Sequence, residues 1–172
     1  MFQALNGLER LIDEFIGVLE SEQTAQNILN KVSEGVSLSS SSGQDGASEV
    51  NAALLELCRK LCDCWPAIIL GSPALRQLMN IAAECSGSVE HPATVQASLL
   101  FISNVFNGCR FLADASMRTK CVASLNGWLT QSPAAGSLLR AVVSGSIQGP
   151  TMLVDVNISL LHVVRTLVVI EH

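Results

Sequence analysis

Three cysteines lie close together in the first half of the chain, at Cys58, Cys62 and Cys64. Positions four residues apart share one face of an α-helix, so Cys58 and Cys62 could bind one metal ion, whereas Cys64 points away from that face. The sequence has no second CxxC or CxxxH pair to supply the remaining ligands of a zinc site. The pattern therefore favours structural thiols, and we expect no metal and no other cofactor.

The chain has six cysteines in total, an even number that also admits disulfide pairing. Two features argue against that interpretation. The chain is long enough to build a hydrophobic core, and the segment after Met1 is amphipathic, unlike a secretory signal. We expect free, mostly buried thiols in a reducing compartment.

Catalytic residues cannot be assembled from the histidines. His91 precedes Pro92 at the start of an apolar helical pattern, where a role in capping or in a turn is expected. His162 lies within another apolar pattern, and His172 is terminal. Glycine-rich phosphate loops and the GxSxG, HExxH and EF-hand patterns do not occur in the sequence. The sequence predicts a protein that is not an enzyme.

Glu9, Asp13 and Glu14 form a small acidic face near the N-terminus. A solvated helix surface is the simpler explanation of this face. The alternative is a docking face for a protein cargo rich in lysine and arginine, because an acidic concave surface attracts basic peptides. Both interpretations remain open.

Apolar residues recur with helical spacing along the chain, and no segment reads as a clear strand. The serine- and glycine-rich stretch 37–48 lacks an apolar period and predicts a flexible loop. Capping residues and prolines mark the starts of several helices. The predicted helices span 2–20, 21–35, 49–64, 72–85, 92–111 and 116–131, then a segment from Pro133 broken at Gly145, Gly149 and Pro150, and finally 151–170.

The stretch from His91 to Gln131 reads as two apolar helices joined by a short turn, with Phe106 and Trp128 buried close together. Pro92 opens this stretch and Pro133 follows it, 41 residues later, which is the period of a HEAT or armadillo repeat. We therefore predict an all-α fold in which antiparallel helix pairs stack as a HEAT/armadillo-like α-solenoid, one segment spanning residues 1–172. A closed helical bundle is the alternative.

Charge is scarce and unevenly distributed. The net charge is −5, and no basic patch is present, which argues against nucleic acid as a partner. Residues 1–64 carry ten acidic and four basic side chains, whereas residues 65–172 carry only five and six. Such a sparsely charged second part indicates that much of its surface packs on neighbouring repeats of a longer chain.

The last predicted helix is apolar over more than one face, although no uncharged apolar run reaches the length of a membrane span. Val164 and Val168 are the candidate residues of a face that a neighbouring repeat or a partner would cover. We expect the isolated chain to self-associate through this helix.

At residues 91–131 the chain resembles the importin-β superfamily, most closely its transportin-SR and importin-13-like branch. The residues that carry the resemblance are His91 with Pro92, Thr94 with Val95, Phe106 and Trp128. Near their C-terminal ends, those receptors have a His-Pro followed by a long apolar helix and then a second helix with a late tryptophan.

The resemblance implies a HEAT-repeat receptor that carries protein cargo through the nuclear pore, between cytoplasm and nucleus. Its parent chain would bind the Ran GTPase and nucleoporins. The alternative function is that of a HEAT-type scaffold or regulatory subunit outside nuclear transport.

Overall fold

The computed structural model describes residues 22–39, 44–87 and 92–148, together with the helical residues Val154, Asn157, Ile158, Leu160, Leu161 and Arg165. The described part of the chain is helical and contains no strand, which confirms the all-α prediction. Its helices are α1 (Glu22–Ser39), α2 (Gln44–Cys64), α3 (Pro66–Leu70), α4 (Leu75–Ser86), α5 (Pro92–Phe111), α6 (Ala115–Gln131) and α7 (Pro133–Gln148).

Proline and capping side chains set several helix boundaries. Helix α2 ends at Cys64, and Pro66 opens the short α3, because a residue before proline avoids the helical region. The Asp114 carboxylate caps α6 by accepting hydrogen bonds from the backbone N–H groups of Ser116 and Met117 at 2.7 and 3.0 Å. These hydrogen bonds stabilise the ionised carboxylate and lower the pKa of Asp114.

The predicted start at Ser72-Pro73 is displaced in the structure. Ser72 Oγ accepts a hydrogen bond from the Ala74 backbone N–H at 3.1 Å, and α4 begins only at Leu75. Ser72 therefore organises the turn that leads into α4, as serine side chains often do. The short helix α3 is not predicted from the sequence as a separate element.

Helices extend into segments that we predicted as breaks. Helix α1 continues past Gly35 to Ser39, and α2 starts at Gln44, so the predicted loop 37–48 is helical at both ends. Helix α7 likewise continues through Gly145 to Gln148. A glycine inside a helix costs only about 1 kcal/mol relative to alanine, which packing can offset. Among the described residues no glycine has a positive φ, so none ends a helix in the left-handed conformation.

Packing explains why a glycine stands at position 145 inside α7. A Cβ atom at this position would lie 2.7 Å from Nδ2 of Asn157, which is itself buried. The glycine therefore lets the Asn157 side chain approach the backbone of α7 closely.

Helix α5 has the most extensive packing of the described helices. It packs most extensively on α2, then on α4, and it also contacts α3 and α6. Two polar contacts join α5 to α2: Asn104 Nδ2 donates a hydrogen bond to Asp63 Oδ1 at 2.7 Å, and Cys62 Sγ lies 3.6 Å from the Asn104 carbonyl. The predicted pair of α5 with α6 is present, but α2 is the main packing partner of α5.

The burial predictions for the central helices are largely confirmed. Phe106 and Trp128 are both buried. The helical spacing of apolar residues in the sequence also predicts burial of Leu129, Leu139 and Val143, but Leu129 and Leu139 are half-buried and Val143 is exposed. The same spacing predicts a further set of core residues, all of which are buried: Leu75, Leu78, Met79, Ala82, Val95, Leu99, Ile102, Cys109, Cys121, Leu125, Leu138 and Val142.

Helix α5 contains one buried and one exposed phenylalanine, so a substitution in the core can be compared with a matched control on the same helix. Phe106 is 0% exposed and Phe111, one and a half turns later, is 81% exposed. We expect Phe106→Ala to lower the free energy of unfolding by about 3–5 kcal/mol, because the buried ring leaves a cavity. Phe111→Ala should change it by less than about 0.5 kcal/mol. Urea denaturation of both variants checks the prediction, and equal effects would contradict the placement of α5.

Candidate functional site

Several candidate residues from the sequence lie outside the described residues. This applies to the acidic face of Glu9, Asp13 and Glu14, and to the apolar pair Val164 and Val168. It applies equally to the three histidines, His91, His162 and His172. Their predicted roles stay predictions.

The cysteine motif is described completely. Cys58 and Cys62 are buried on the inner face of α2, and Cys64 is exposed, as the helical spacing predicted. The structure leaves all six cysteines as free thiols. Within the described ranges, no group of three or more His, Cys, Asp and Glu side chains has an arrangement that could hold a metal ion.

Thiols from three helices meet in the core between α2, α5 and α6. The Cys109 thiol lies close enough to Cys121 to form a hydrogen bond and also interacts with Cys62. Cys121 Sγ donates to the Leu70 carbonyl at 3.6 Å. Burial raises the pKa of Cys58 and of Cys62 to about 12, and it raises the pKa of Cys109 even further. Protonated, buried thiols are poor nucleophiles, so this cluster serves packing.

The raised thiol pKa values predict a loss of stability in alkali. The folded chain keeps the protons of Cys58 and Cys62 up to about pH 12, whereas the unfolded chain releases them near 9.0. Stability from these groups is therefore complete below pH 9 and decreases as the pH rises above it, by about 1.4 kcal/mol per pH unit for each thiol.

Urea denaturation from about pH 8 to about pH 10.5 measures this slope. Cys58→Ala should make the slope shallower, because one of the contributing thiols is gone. Cys64→Ala should leave it unchanged, since Cys64 is exposed. If Cys58→Ala and Cys64→Ala both show the same loss of stability with pH as the unmodified chain, the buried thiols are not its cause.

A groove lies between α4 and α6 and encloses a cavity of about 210 Å³. It is partly open to solvent. Its apolar floor is formed by buried side chains, and its rim carries exposed polar and small residues. The lining residues are Leu75, Arg76 and Met79 of α4, and Ser124, Leu125, Gly127, Trp128 and Gln131 of α6.

Hydrogen bonds hold the tryptophan of this groove in place. The Trp128 indole N–H donates to Asn80 Oδ1 at 2.8 Å, and Ser132 Oγ donates to the same oxygen at 3.2 Å. Asn80 thus connects α4 to both the end of α6 and the residue that follows it. Because a fixed aromatic wall needs no reordering on binding, the groove is preorganised for a ligand.

The rim of the groove is positively charged. Arg76 is exposed and has no side-chain partner in the part of the chain that the structure describes. By contrast, Arg59 of α2 is paired with Glu56 and Asp63. Among the described residues, no acidic side chain lines the groove.

The apolar pattern of the sequence does not reveal this groove. It predicts that Leu75, Met79, Leu125 and Trp128 lie in the core, and all four are buried. The available signal was the pair of small residues Ser124 and Gly127, three positions apart beside Trp128, which leaves one face of α6 open. This pair of small residues does not indicate which helix faces α6 across the groove.

The chain matches no protein-family model, no curated protein sequence and no solved structure. Within the described part of the chain, no helix combines the length and apolarity needed to cross a bilayer. The groove combines an apolar cavity, a tryptophan held by a hydrogen bond and an arginine without a partner among the described residues, an arrangement suited to binding.

The hydrogen bonds of Asn80 can be tested by substitution. We expect Asn80→Ala to lower the free energy of unfolding by about 1–3 kcal/mol, because the buried indole N–H of Trp128 loses its acceptor. Gln77→Ala, on the exposed face of the same helix, is the matched control and should have little effect. The tryptophan emission of Asn80→Ala should also shift; unchanged stability and emission would contradict the bond.

Proposed function

We propose that this chain is a protein-interaction scaffold that acts as part of a helical-repeat nuclear transport receptor. The groove beside Trp128 carries the scaffold part of the proposal. Its apolar floor includes the hydrogen-bonded Trp128 side chain, and its rim carries Arg76, which has no partner among the described residues. Tryptophan and arginine are among the residues that contribute most to binding at protein interfaces.

The order of helix packing supports a repeat architecture. Helix α5 packs most extensively on α2, and α7 packs on α4, so the same offset of three helices relates both pairs. Three-helix units, α2 to α4 and α5 to α7, then stand next to each other along the chain. Armadillo repeats have three helices in each unit, and stacking of equivalent helices is how solenoids bury a continuous core.

The resemblance at residues 91–131 supports the receptor part of the proposal. Of the six residues that carry it, Thr94, Val95, Phe106 and Trp128 are buried. Pro92 is exposed, and His91 lies outside the described residues. The shared residues therefore concern the packing of α5 and α6, and they support the receptor's architecture more directly than its choice of cargo. We propose a non-enzymatic role in the cytoplasm and nucleus. For Glu9, Asp13 and Glu14, the docking of basic cargo stays a prediction from the sequence.

Binding to nucleoporin-type peptides tests the receptor proposal. A fluorescent Phe-Gly repeat peptide should bind the 172-residue chain, and the matched Ser-Gly peptide should not, because apolar grooves between stacked helices accept phenylalanine and exclude serine. Fluorescence anisotropy measures both. A parallel titration with Ran loaded with a GTP analogue or with GDP tests nucleotide-dependent binding. If neither the Phe-Gly peptide nor Ran binds, the nuclear transport assignment is wrong and only the scaffold remains.

A further inference from the structure

We infer that the groove between α4 and α6 binds an acidic peptide segment that inserts one large apolar side chain beside Trp128. The inference rests on the proposed scaffold function and names the kind of partner. It does not depend on nuclear transport.

The volume of the cavity indicates that it accepts a single side chain, not a whole small molecule. A cavity of about 210 Å³ is smaller than the roughly 300–1,000 Å³ of pockets that enclose small molecules. It is larger than the roughly 150 Å³ cavity that holds a benzene molecule. One leucine or phenylalanine side chain therefore fits the cavity, while the rest of its chain lies along the rim.

The rim of the groove has polar side chains that can form hydrogen bonds with the backbone of the bound peptide. Gln131 and Ser124 are exposed, and no described residue hydrogen-bonds to either side chain. The Gln131 amide can donate to a peptide carbonyl and accept from a peptide N–H, and the Ser124 hydroxyl can do the same. An extended segment can thus satisfy its backbone across the groove.

The charge around the groove selects an acidic segment. Arg76 lies at the rim, and Lys120 lies one turn before Ser124 on the same face of α6, where the spacing of Lys120, Ser124, Gly127 and Gln131 follows the helical period. The described residues from 65 to 148 carry five basic and two acidic side chains, of which Arg76 lines the groove. A basic peptide would be repelled here, whereas a glutamate beside the anchor residue can pair with the Arg76 guanidinium.

Three fluorescein-labelled nonapeptides test the inference on the whole 172-residue chain. The first has a central leucine flanked by glutamates, the second replaces that leucine by alanine, and the third replaces the glutamates by lysines. The peptide with the central leucine and flanking glutamates should bind most tightly. A higher salt concentration should weaken its binding, because the paired charges are exposed to solvent and are screened. No binding of the first peptide up to about 1 mM, the weak end of specific affinities, would overturn the inference. Equal binding of all three would overturn it too.

Two substitutions with matched controls locate the binding. A Cβ atom at Gly127 meets nothing within 4 Å, so Gly127→Leu places a side chain beside the cavity without disturbing the fold. It should weaken binding at least tenfold. Gly136→Leu, at an equally open helical position on α7, should leave binding unchanged. Arg76→Gln should weaken binding about two- to fivefold, as expected for an exposed ion pair, and Arg140→Gln should not.

These outcomes separate the inference from the receptor proposal. An acidic peptide that binds, and loses affinity in Gly127→Leu, establishes the groove even if Phe-Gly peptides and Ran do not bind. If Phe-Gly peptides bind and the acidic peptide does not, the receptor proposal stands and the inference fails. Unchanged affinity in Gly127→Leu would also overturn the inference, because the peptide would then bind elsewhere.

Discussion

The rest of the structure depends on the burial of α5. From Thr94 to Cys109 this helix has no exposed residue, and both Phe101 and Phe106 are fully buried. A helix that is apolar over most of its circumference is stable in water only when neighbours cover it on several sides. Helices α2, α3, α4 and α6 provide that cover. The buried Ser98 hydroxyl is satisfied within the helix, because it donates to the Thr94 carbonyl at 2.7 Å. Asn104 is instead paired across helices, with Asp63 of α2.

The cysteines illustrate how this packing decides chemistry. Spacing alone makes Cys58 and Cys62 candidate metal ligands, but the helices around α5 exclude water from both sulfurs and raise their pKa values. Metal ligation and nucleophilic attack both require the thiolate. The same burial that stabilises the fold therefore suppresses thiol reactivity at the inner positions and leaves Cys64 as the accessible thiol on this helix.

The groove is a consequence of how α4 and α6 are arranged beside α5. Large side chains on both helices contribute to the core, while Ser124 and Gly127 leave space on the neighbouring face of α6. Asn80 keeps this space open in one geometry, because its side-chain oxygen accepts from both Trp128 and Ser132. An apolar cavity flanked by an arginine that has no partner in the described part of the chain is a feature expected of a binding surface.

The sequence by itself determined the all-α class, most of the helix cores and the break at Trp65-Pro66, because helical periodicity and proline geometry are local properties. It misplaced the ends of helices at Gly35, at Gly145 and around the serine-rich stretch 37–48, because the local preferences of glycine and serine are worth about 1 kcal/mol or less and packing offsets them. Only the tertiary structure decided that α2 is the main partner of α5 and that Arg76 lies opposite Gly127 and Trp128. These contacts join residues about fifty positions apart in the sequence. A local sequence pattern cannot predict how two helices align, because their alignment is set by how their side chains pack together in three dimensions.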